Sequence, residues 1–337
     1  MLNFDEQRFI GIQSGAVAHA PQIRETVRKL LDDGLENVFF AGSGGAGILM
    51  YPALGILQSQ STFPTHLEMP AELVIRGNAS LGPRSLVVIP SLSGTTSESL
   101  EALEYCNQRG ATVLALTGDA ESPLARGAAI NFTTPAADDT SSEVFYLQSL
   151  FIALSILEHR GEISDAEGIF ADLAAVPQAL VGVKRAFEAR AAEYAQRIQA
   201  ETYHVITGAG GTWAEAFYYG MCILEEMQWI RTRPVHASDF FHGTLELVED
   251  GVSVIVLKGE DALRPLTERV EAFVPRVTDR LWVLDTKDFE LPGVSARTRS
   301  LLSPVVLATA LERLSAHLEV LRDHPLTTRR YYKQMAY

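Results

Sequence analysis

The segment ENVFFAGSGGAGILMYPALG, which begins at Glu36, has a second version in TYHVITGAGGTWAEAFYYGM, which begins at Thr202. Each copy runs from a β-branched and aromatic strand through a glycine turn into a helix rich in small residues, so the chain reads as a duplicated α/β unit. The segments around the copies keep the same rhythm. SLVVIPSLSGTTSESLEALEYCNQRG predicts a strand and a helix, TVLALTGDAESPLARGAAINFTTP predicts two strands joined by a short helix, and GVSVIVLKG and RLWVLDT predict two more strands. Apolar runs alternating with amphipathic stretches give parallel sheets with helices on both faces. Residues 143–201 read as helical throughout, with Pro177 as a break, and Ser303 to Asp323 read as a helix with Pro304 near its start. The expected organisation is a first lobe over 1–160 with an N-terminal helix, a helical connector over 161–200, and a second lobe over 201–337 that ends in a tail.

The charge balance narrows the partners. The chain has 337 residues, 28 Lys and Arg against 42 Asp and Glu, and a formal net charge of −14, which repels a phosphate backbone. No basic cluster or helix-turn-helix pattern offsets that charge, so nucleic acid is not an expected partner. The N-terminus MLNFDEQRFIGIQSG has no basic region ahead of an apolar core, and no apolar run approaches the ~18 residues of a membrane helix. No membrane association is expected, and the expected location is the cytoplasm. Cys106 and Cys222 are the only cysteines, too few for a disulfide framework or a cysteine metal site. No H-x-x-x-H or H-E-x-x-H array occurs, which argues against a catalytic zinc.

The first glycine turn poses a choice of ligand. Gly42, Gly44 and Gly47 fit the G-x-G-x-x-G spacing, and Glu68 follows after about twenty residues, where a dinucleotide fold places its ribose-binding acid. A second loop, IPSLSGTTSES over Ile89 to Ser99, follows the next buried strand and carries Ser91, Ser93, Gly94, Thr95, Thr96 and Ser97 where a helix begins. Hydroxyls and free amides gathered at a helix N-terminus suit an anion, because the unsatisfied donors and the positive end of the dipole point the same way. The plainer reading of that loop is an N-cap with a serine-rich turn. A dehydrogenase needs no such second hydroxyl cluster, whereas a sugar-phosphate site needs several donors around one phosphate.

FAGSGGAG and PSLSGTTSES resemble the two phosphate-gripping segments of the sugar isomerase (SIS) domain family, and the duplication resembles the tandem pair in the isomerase half of glucosamine-6-phosphate synthase. The chain is more similar still to one subgroup, the deglycases of 6-phosphorylated Amadori compounds such as fructoselysine 6-phosphate deglycase. That resemblance covers nearly the whole length and rests on EMQWI, on DFFHGTLELVEDGV, and on the tail RDHPLTTRRYYKQMAY with its terminal Tyr. It implies an α/β fold of two tandem SIS lobes, each a parallel sheet flanked by helices in a flavodoxin-like three-layer sandwich. It also implies that Ser43, Ser91, Ser93 and Thr96 hold a phosphate beside the amides of Gly44 and Gly94.

The chemistry implied is cleavage of a fructosamine 6-phosphate to glucose 6-phosphate and a free amine or amino acid. A base takes a proton from C1 to give an enaminol, reprotonation at C2 gives an imine, and water splits the imine. Those steps call for a base and a group that manages protons on the sugar oxygens, with no metal or redox cofactor. Glu226 precedes His242 by sixteen residues, the separation found in the family. The resemblance therefore assigns Glu226 as general base at C1 and His242 as the group that opens the ring or shuttles the hydroxyl proton. Glu225 competes with Glu226, but neighbours on a helix point about 100° apart, so one of the two faces the site. In the family the histidine segment serves the neighbouring subunit's pocket, so a homodimer with shared active sites is expected.

Three departures accompany the likeness. The family's His-Gly-Pro reads His242, Gly243, Thr244 here, without the proline that fixes φ. Where the synthase has Ser-Thr-Lys, this chain has SSEVF with Glu143, an acid placed to receive the substrate's cationic amine or simply favoured at a helix start. His236 replaces a residue that is acidic in some deglycases, and either reads the amino-acid portion or lines a loop. His324, Arg329, Arg330, Tyr331 and Tyr332 in the tail are read as closing the pocket or clasping the partner subunit. Competing functions are a ketose–aldose isomerase and a non-catalytic sugar-phosphate sensor; the absence of a helix-turn-helix and the pairing of Glu226 with His242 speak against the sensor.

Overall fold

A computed structural model describes residues 1–201, 203–332, 334 and 335. Thr202, where the second copy of the repeat begins, and Tyr337, the terminal Tyr of the tail pattern, lie outside the described residues. The chain divides into two units, one of Gln7–Pro177 and one of Met1–Glu6 with Gln178–Tyr337.

The Gln7–Pro177 unit opens with helices α1 (Glu6–Ala18) and α2 (Ala20–Asp32), then alternates β1 (Asn37–Ala41), α3 (Gly44–Ile48), α4 (Tyr51–Gln60), β2 (Thr65–Glu68) and α5 (Pro70–Arg76). It continues with β3 (Ser85–Ser91), α6 (Ser97–Gln108), β4 (Thr112–Thr117), α7 (Pro123–Gly127), β5 (Ile130–Thr133) and α8 (Ser141–His159). The strands form one parallel sheet in the order β2-β1-β3-β4-β5. Phe39, Ala41, Val87, Ile89, Val113 and Ala115 alternate onto one face and pack against Leu73, Leu103, Cys106 and Leu124 of α5, α6 and α7. The intervening Val38, Phe40, Leu86, Val88, Leu114 and Leu116 are equally buried, as expected for a sheet covered on both sides. Helix α8 packs on α2 and α4 and is buried from Ser141 to Leu157, so it is apolar all round rather than amphipathic.

The helical stretch beyond α8 breaks twice. Gly161, left-handed at φ +66°, ends α8, and Asp165 caps α9 (Ala166–Leu173) by accepting from the Gly168 amide at 3.2 Å. Helix α10 (Val176–Ile198) then starts just before Pro177. Proline is tolerated there because a first-turn residue has no intrahelical N–H bond to lose.

The second unit repeats the plan with β6 (Tyr203–Gly208), α11 (Gly211–Tyr218), a π-helix (Tyr219–Glu225), β7 (Arg231–His236), β8 (Ser253–Lys258), α12 (Arg264–Phe273), β9 (Leu281–Asp285), α13 (Ala296–Leu301) and α14 (Ser303–Leu321). Its parallel sheet runs β7-β6-β8-β9, the order of the first four strands of the other sheet. Val205, Val235, Val254 and Val256 pack on Val270 of α12 and on Phe240, while α14 lies against α11. The fold is thus the expected tandem of α/β lobes, each a parallel sheet flanked by helices. Two strands had no apolar run to announce them: THLE of β2 and RTRPVH of β7 are edge strands with partly exposed side chains. Among the described residues no single helix is long and apolar enough to cross a membrane.

Candidate active site

In the first sheet the chain leaves β1 for β2 on one side and returns to β3 on the other, so the C-terminal ends of β1 and β3 flank the point where strand order reverses. Ligands of open α/β sheets gather at such a crevice. The glycine turn after β1 is required by packing. A Cβ on Gly42 would lie 2.6 Å from Cα of Gly47, and one on Gly47 would lie 2.2 Å from the Gly42 carbonyl oxygen. Gly44 is left-handed at φ +54° with open space around its Cβ position. Ser43 is the N-cap of α3 in extended geometry, and its side chain makes no capping bond. Glu68, at the place of a ribose-binding acid, is consumed internally: Arg76 donates to it at 2.8 Å and Asn78 at 2.7 Å.

The serine-rich loop brings several donors together after β3. Gly94, at φ +60°, donates its amide to the Ser91 hydroxyl at 3.2 Å, and the Ser91 and Thr96 hydroxyls lie 3.4 Å apart. Ser93 accepts from the Thr95 hydroxyl at 3.0 Å. Thr96 is the N-cap of α6, yet its side chain makes no capping bond, which leaves first-turn amides of that helix without the partner an N-cap hydroxyl supplies. Ser99, one turn in and 1% exposed, has a buried hydroxyl with no partner among the described residues. It was not singled out from sequence, where it reads as one more serine of the loop.

The matching turn of the second unit is filled by the protein itself. Asp261 accepts from the Gly211 amide at 3.2 Å at the start of α11 and from the Leu263 amide at 2.8 Å. A Cβ on Gly210, left-handed at φ +57°, would come within 2.4 Å of the Asp261 carboxylate. The Thr212 hydroxyl is spent on the carbonyls of Ala209 and Leu257, at 2.9 and 3.0 Å. The duplicated turn therefore carries its own carboxylate at the head of α11.

Glu226 follows the π-helix, a rare form that recurs at functional sites. Its amide donates to the Met221 carbonyl at 3.2 Å, keeping the wide spacing. Its carboxylate accepts from Arg329 at 2.8 Å. Glu225 is turned to structural use, accepting from the Thr232 hydroxyl at 2.7 Å and the Thr232 amide at 3.2 Å. Both glutamates line a cleft of 620 Å³ whose walls include Trp229, Arg231, Arg322, Arg329, Arg330 and Tyr331. Trp229 is left-handed at φ +56°, a strained conformation for a bulky residue of the kind that collects at functional sites. The His324 ring meets it edge-on at 4.4 Å and the Arg330 guanidinium lies 3.9 Å from its centre. Trp229 and Arg322 fall inside the EMQWI and tail segments that carry the resemblance but were not singled out, and Arg231 lies on the unannounced edge strand.

His242 ends a short 3-10 turn, Asp239–His242, is exposed, and does not line that cleft. Gly243 after it has φ +139°, open to glycine alone, so this residue sets the bend where the family has a proline next. His236 ends β7, and its Nδ1 accepts from the Ser238 amide at 3.1 Å, which puts the proton of the neutral ring on Nε2. Burial holds it below the usual histidine range, against the opposing pull of Asp239. Trp213 meets its ring edge at 5.7 Å. Glu143 lies in the first turn of α8, 2% exposed. Cys106 and Cys222 are buried free thiols, each pushed up to about 12 by burial.

The SIS domain family profile matches residues 36–158. Fructosamine deglycase FrlB of Bacillus subtilis is 31% identical over 323 residues, which span 94% of this chain and 97% of that protein. Fructoselysine 6-phosphate deglycase of Escherichia coli is 25% identical over 93% of this chain and 90% of its own length. Among solved structures, a candidate phosphosugar isomerase from Bacillus subtilis superposes with a TM-score of 0.88 at 28% identity, covering 96% of this chain and 99% of that one. The C-terminal domain of glucosamine-fructose-6-phosphate aminotransferase from Francisella tularensis shares the fold, with a TM-score of 0.79 at 17% identity.

Proposed function

The chain belongs to the phospho-Amadori deglycase group of the SIS family, and we propose that it cleaves a 6-phosphorylated fructosamine of an amino acid into glucose 6-phosphate and the free amino acid. The observation that carries this reading is the relation to a fructosamine deglycase along 97% of that enzyme's length. Ser43, Ser91, Ser93 and Thr96, with the amides of Gly44 and Gly94, hold the phosphate. Both N-cap residues, Ser43 and Thr96, leave their hydroxyls out of capping, which supports that role.

Glu226 removes a proton from C1, and the electron pair moves into the C1–C2 bond as the C2 carbonyl becomes an enol. Return of a proton to C2 leaves an imine between C1 and the nitrogen. Water adds to that imine, and the amine departs. Both acids line the cleft, and the engagement of Glu225 by the Thr232 hydroxyl and amide supports Glu226 as the base. His242 manages the proton of the ring oxygen. Its exposure, and its place outside the residues that line its own chain's Glu226 cleft, support service to a second copy, so the working form is a homodimer with shared sites. Glu143 receives the cationic amine, and His236 helps read the amino-acid portion. Two buried free thiols suit a reducing compartment, the cytoplasm.

The test is release of glucose 6-phosphate from a panel of 6-phosphofructosyl amino acids. Glu226→Gln should lower kcat by about 10²–10⁴, the usual contribution of a positioned base, and Glu143→Gln should raise KM. Interconversion of fructose and glucose 6-phosphates with no cleavage of any adduct would replace the deglycase reading with an isomerase. An unchanged KM would reject the role of Glu143.

A further inference from the structure

The cleft at Glu226 holds more positive charge than its own acids neutralise. Glu201 is paired with Arg280 at 3.0 Å, Glu225 is bound to Thr232, and Glu226 is paired with Arg329 at 2.8 Å. Three further guanidiniums reach the same walls, those of Arg231, Arg322 and Arg330, and none of them meets a carboxylate among the described residues. Arg322 is pinned by the carbonyls of Gln199 and Gln228, and its Nε is buried without a partner. The Arg330 guanidinium lies 3.9 Å from the centre of the Trp229 ring, a cation–π contact that holds a guanidinium in place. In a chain of net charge −14, three such cations in one cleft make a local seat for an anion.

A fructosamine 6-phosphate of an amino acid carries two anionic groups, and the serine-rich loop already accounts for the phosphate. We propose that Arg231, Arg322 and Arg330 bind the carboxylate of the amino-acid portion, so that the enzyme selects adducts of amino acids over adducts of neutral amines. The proposal rests on Glu226 being the catalytic base and adds the identity of what is held beside it.

The test compares 6-phosphofructosyl adducts of glycine and of 4-aminobutyrate, each against the adduct of its amide, which differs only in charge. For the wild type the acid adduct should be favoured in kcat/KM by about 10- to 100-fold at one chain length or both, as a charge-assisted bidentate contact provides. Arg330→Gln and Arg231→Gln should each reduce that ratio severalfold, and Arg330→Lys should restore part of it. The same ratio read as Kd by calorimetry on Glu226→Gln separates this idea from the deglycase reading. Failure to release glucose 6-phosphate from any adduct overturns the reaction, while acid-over-amide selectivity in Kd would still uphold the anion seat. Equal binding of acid and amide at both lengths, or equal weakening of both in Arg330→Gln, overturns the seat.

Discussion

Replacing Gly94 by alanine tests whether the loop after β3 is fixed by its backbone. At φ +60° a residue with a Cβ loses about 1–2 kcal/mol relative to glycine. The new Cβ would also fall 2.1 Å from the Ser122 hydroxyl oxygen and 2.5 Å from Ser122 Cβ. Ser122 is not free to move aside: its hydroxyl donates to the Asp119 carbonyl at 2.8 Å and accepts from the Ala125 amide at 3.3 Å, capping α7. Overpacking of that kind adds about 1–3 kcal/mol. Gly44→Ala is the matched control, since its φ of +54° carries the same conformational term while no heavy atom lies within 4 Å of its Cβ position. In urea unfolding, Gly94→Ala should therefore be less stable than Gly44→Ala by about 1–3 kcal/mol. Adding Ser122→Gly to Gly94→Ala should recover most of that gap, because glycine at an N-cap costs only a few tenths of a kcal/mol. Equal midpoints for the two alanine variants would refute the steric argument.

Two further outcomes follow from single groups. Burial depresses His204, which is 0% exposed, to about 4, so the folded state holds it neutral while the unfolded chain takes up a proton below its usual value near 6.5. Stability from this group is present above that value and is lost as pH falls toward the folded one, by about 2 kcal/mol between pH 7 and pH 5; urea midpoints should show the loss, and His204→Asn, if as steep as wild type, would contradict it. If sites are shared, mixing the two inactive variants Glu226→Gln and His242→Ala under subunit exchange should restore about a quarter of wild-type activity, since half of the dimers regain one intact site. A mixture as inactive as its parents would place both groups in one chain's site.

What the sequence disclosed and what it withheld divide along burial. β1, β3 and β8 are buried along their full length, and β6 everywhere but at Tyr203, so they read as continuous apolar runs bounded by glycine turns. β2 and β7 stand at sheet edges, and β7 tolerates Pro234 and alternating arginines because an edge strand leaves one row of backbone groups unpaired. The helix break at 160–165 was missed, because the apolar content around it outweighed the stop and cap chemistry of Gly161 and Asp165. The loops with Ser43 and Ser91 could be found because their residues are consecutive. Of the arginines around Glu226, Arg330 was noticed in the tail as a pocket-closing residue, whereas Arg231 and Arg322 were not singled out, because they come from an edge strand and a helix end with no shared period. Nor does residue type foretell a π-helix, which turned the segment before Glu226 away from simple helical phase.

Asp261 gives the duplication a direction. The two turns share a backbone plan, yet in the second the seat at the head of the helix is taken by a tethered guest that cannot leave. A diffusing anion arriving there would meet a resident negative charge, so this one turn is closed to anions by a single side chain. Symmetry inherited from the repeat survives in the strands and is broken at one carboxylate, so the like turns at the heads of α3 and α11 differ in charge.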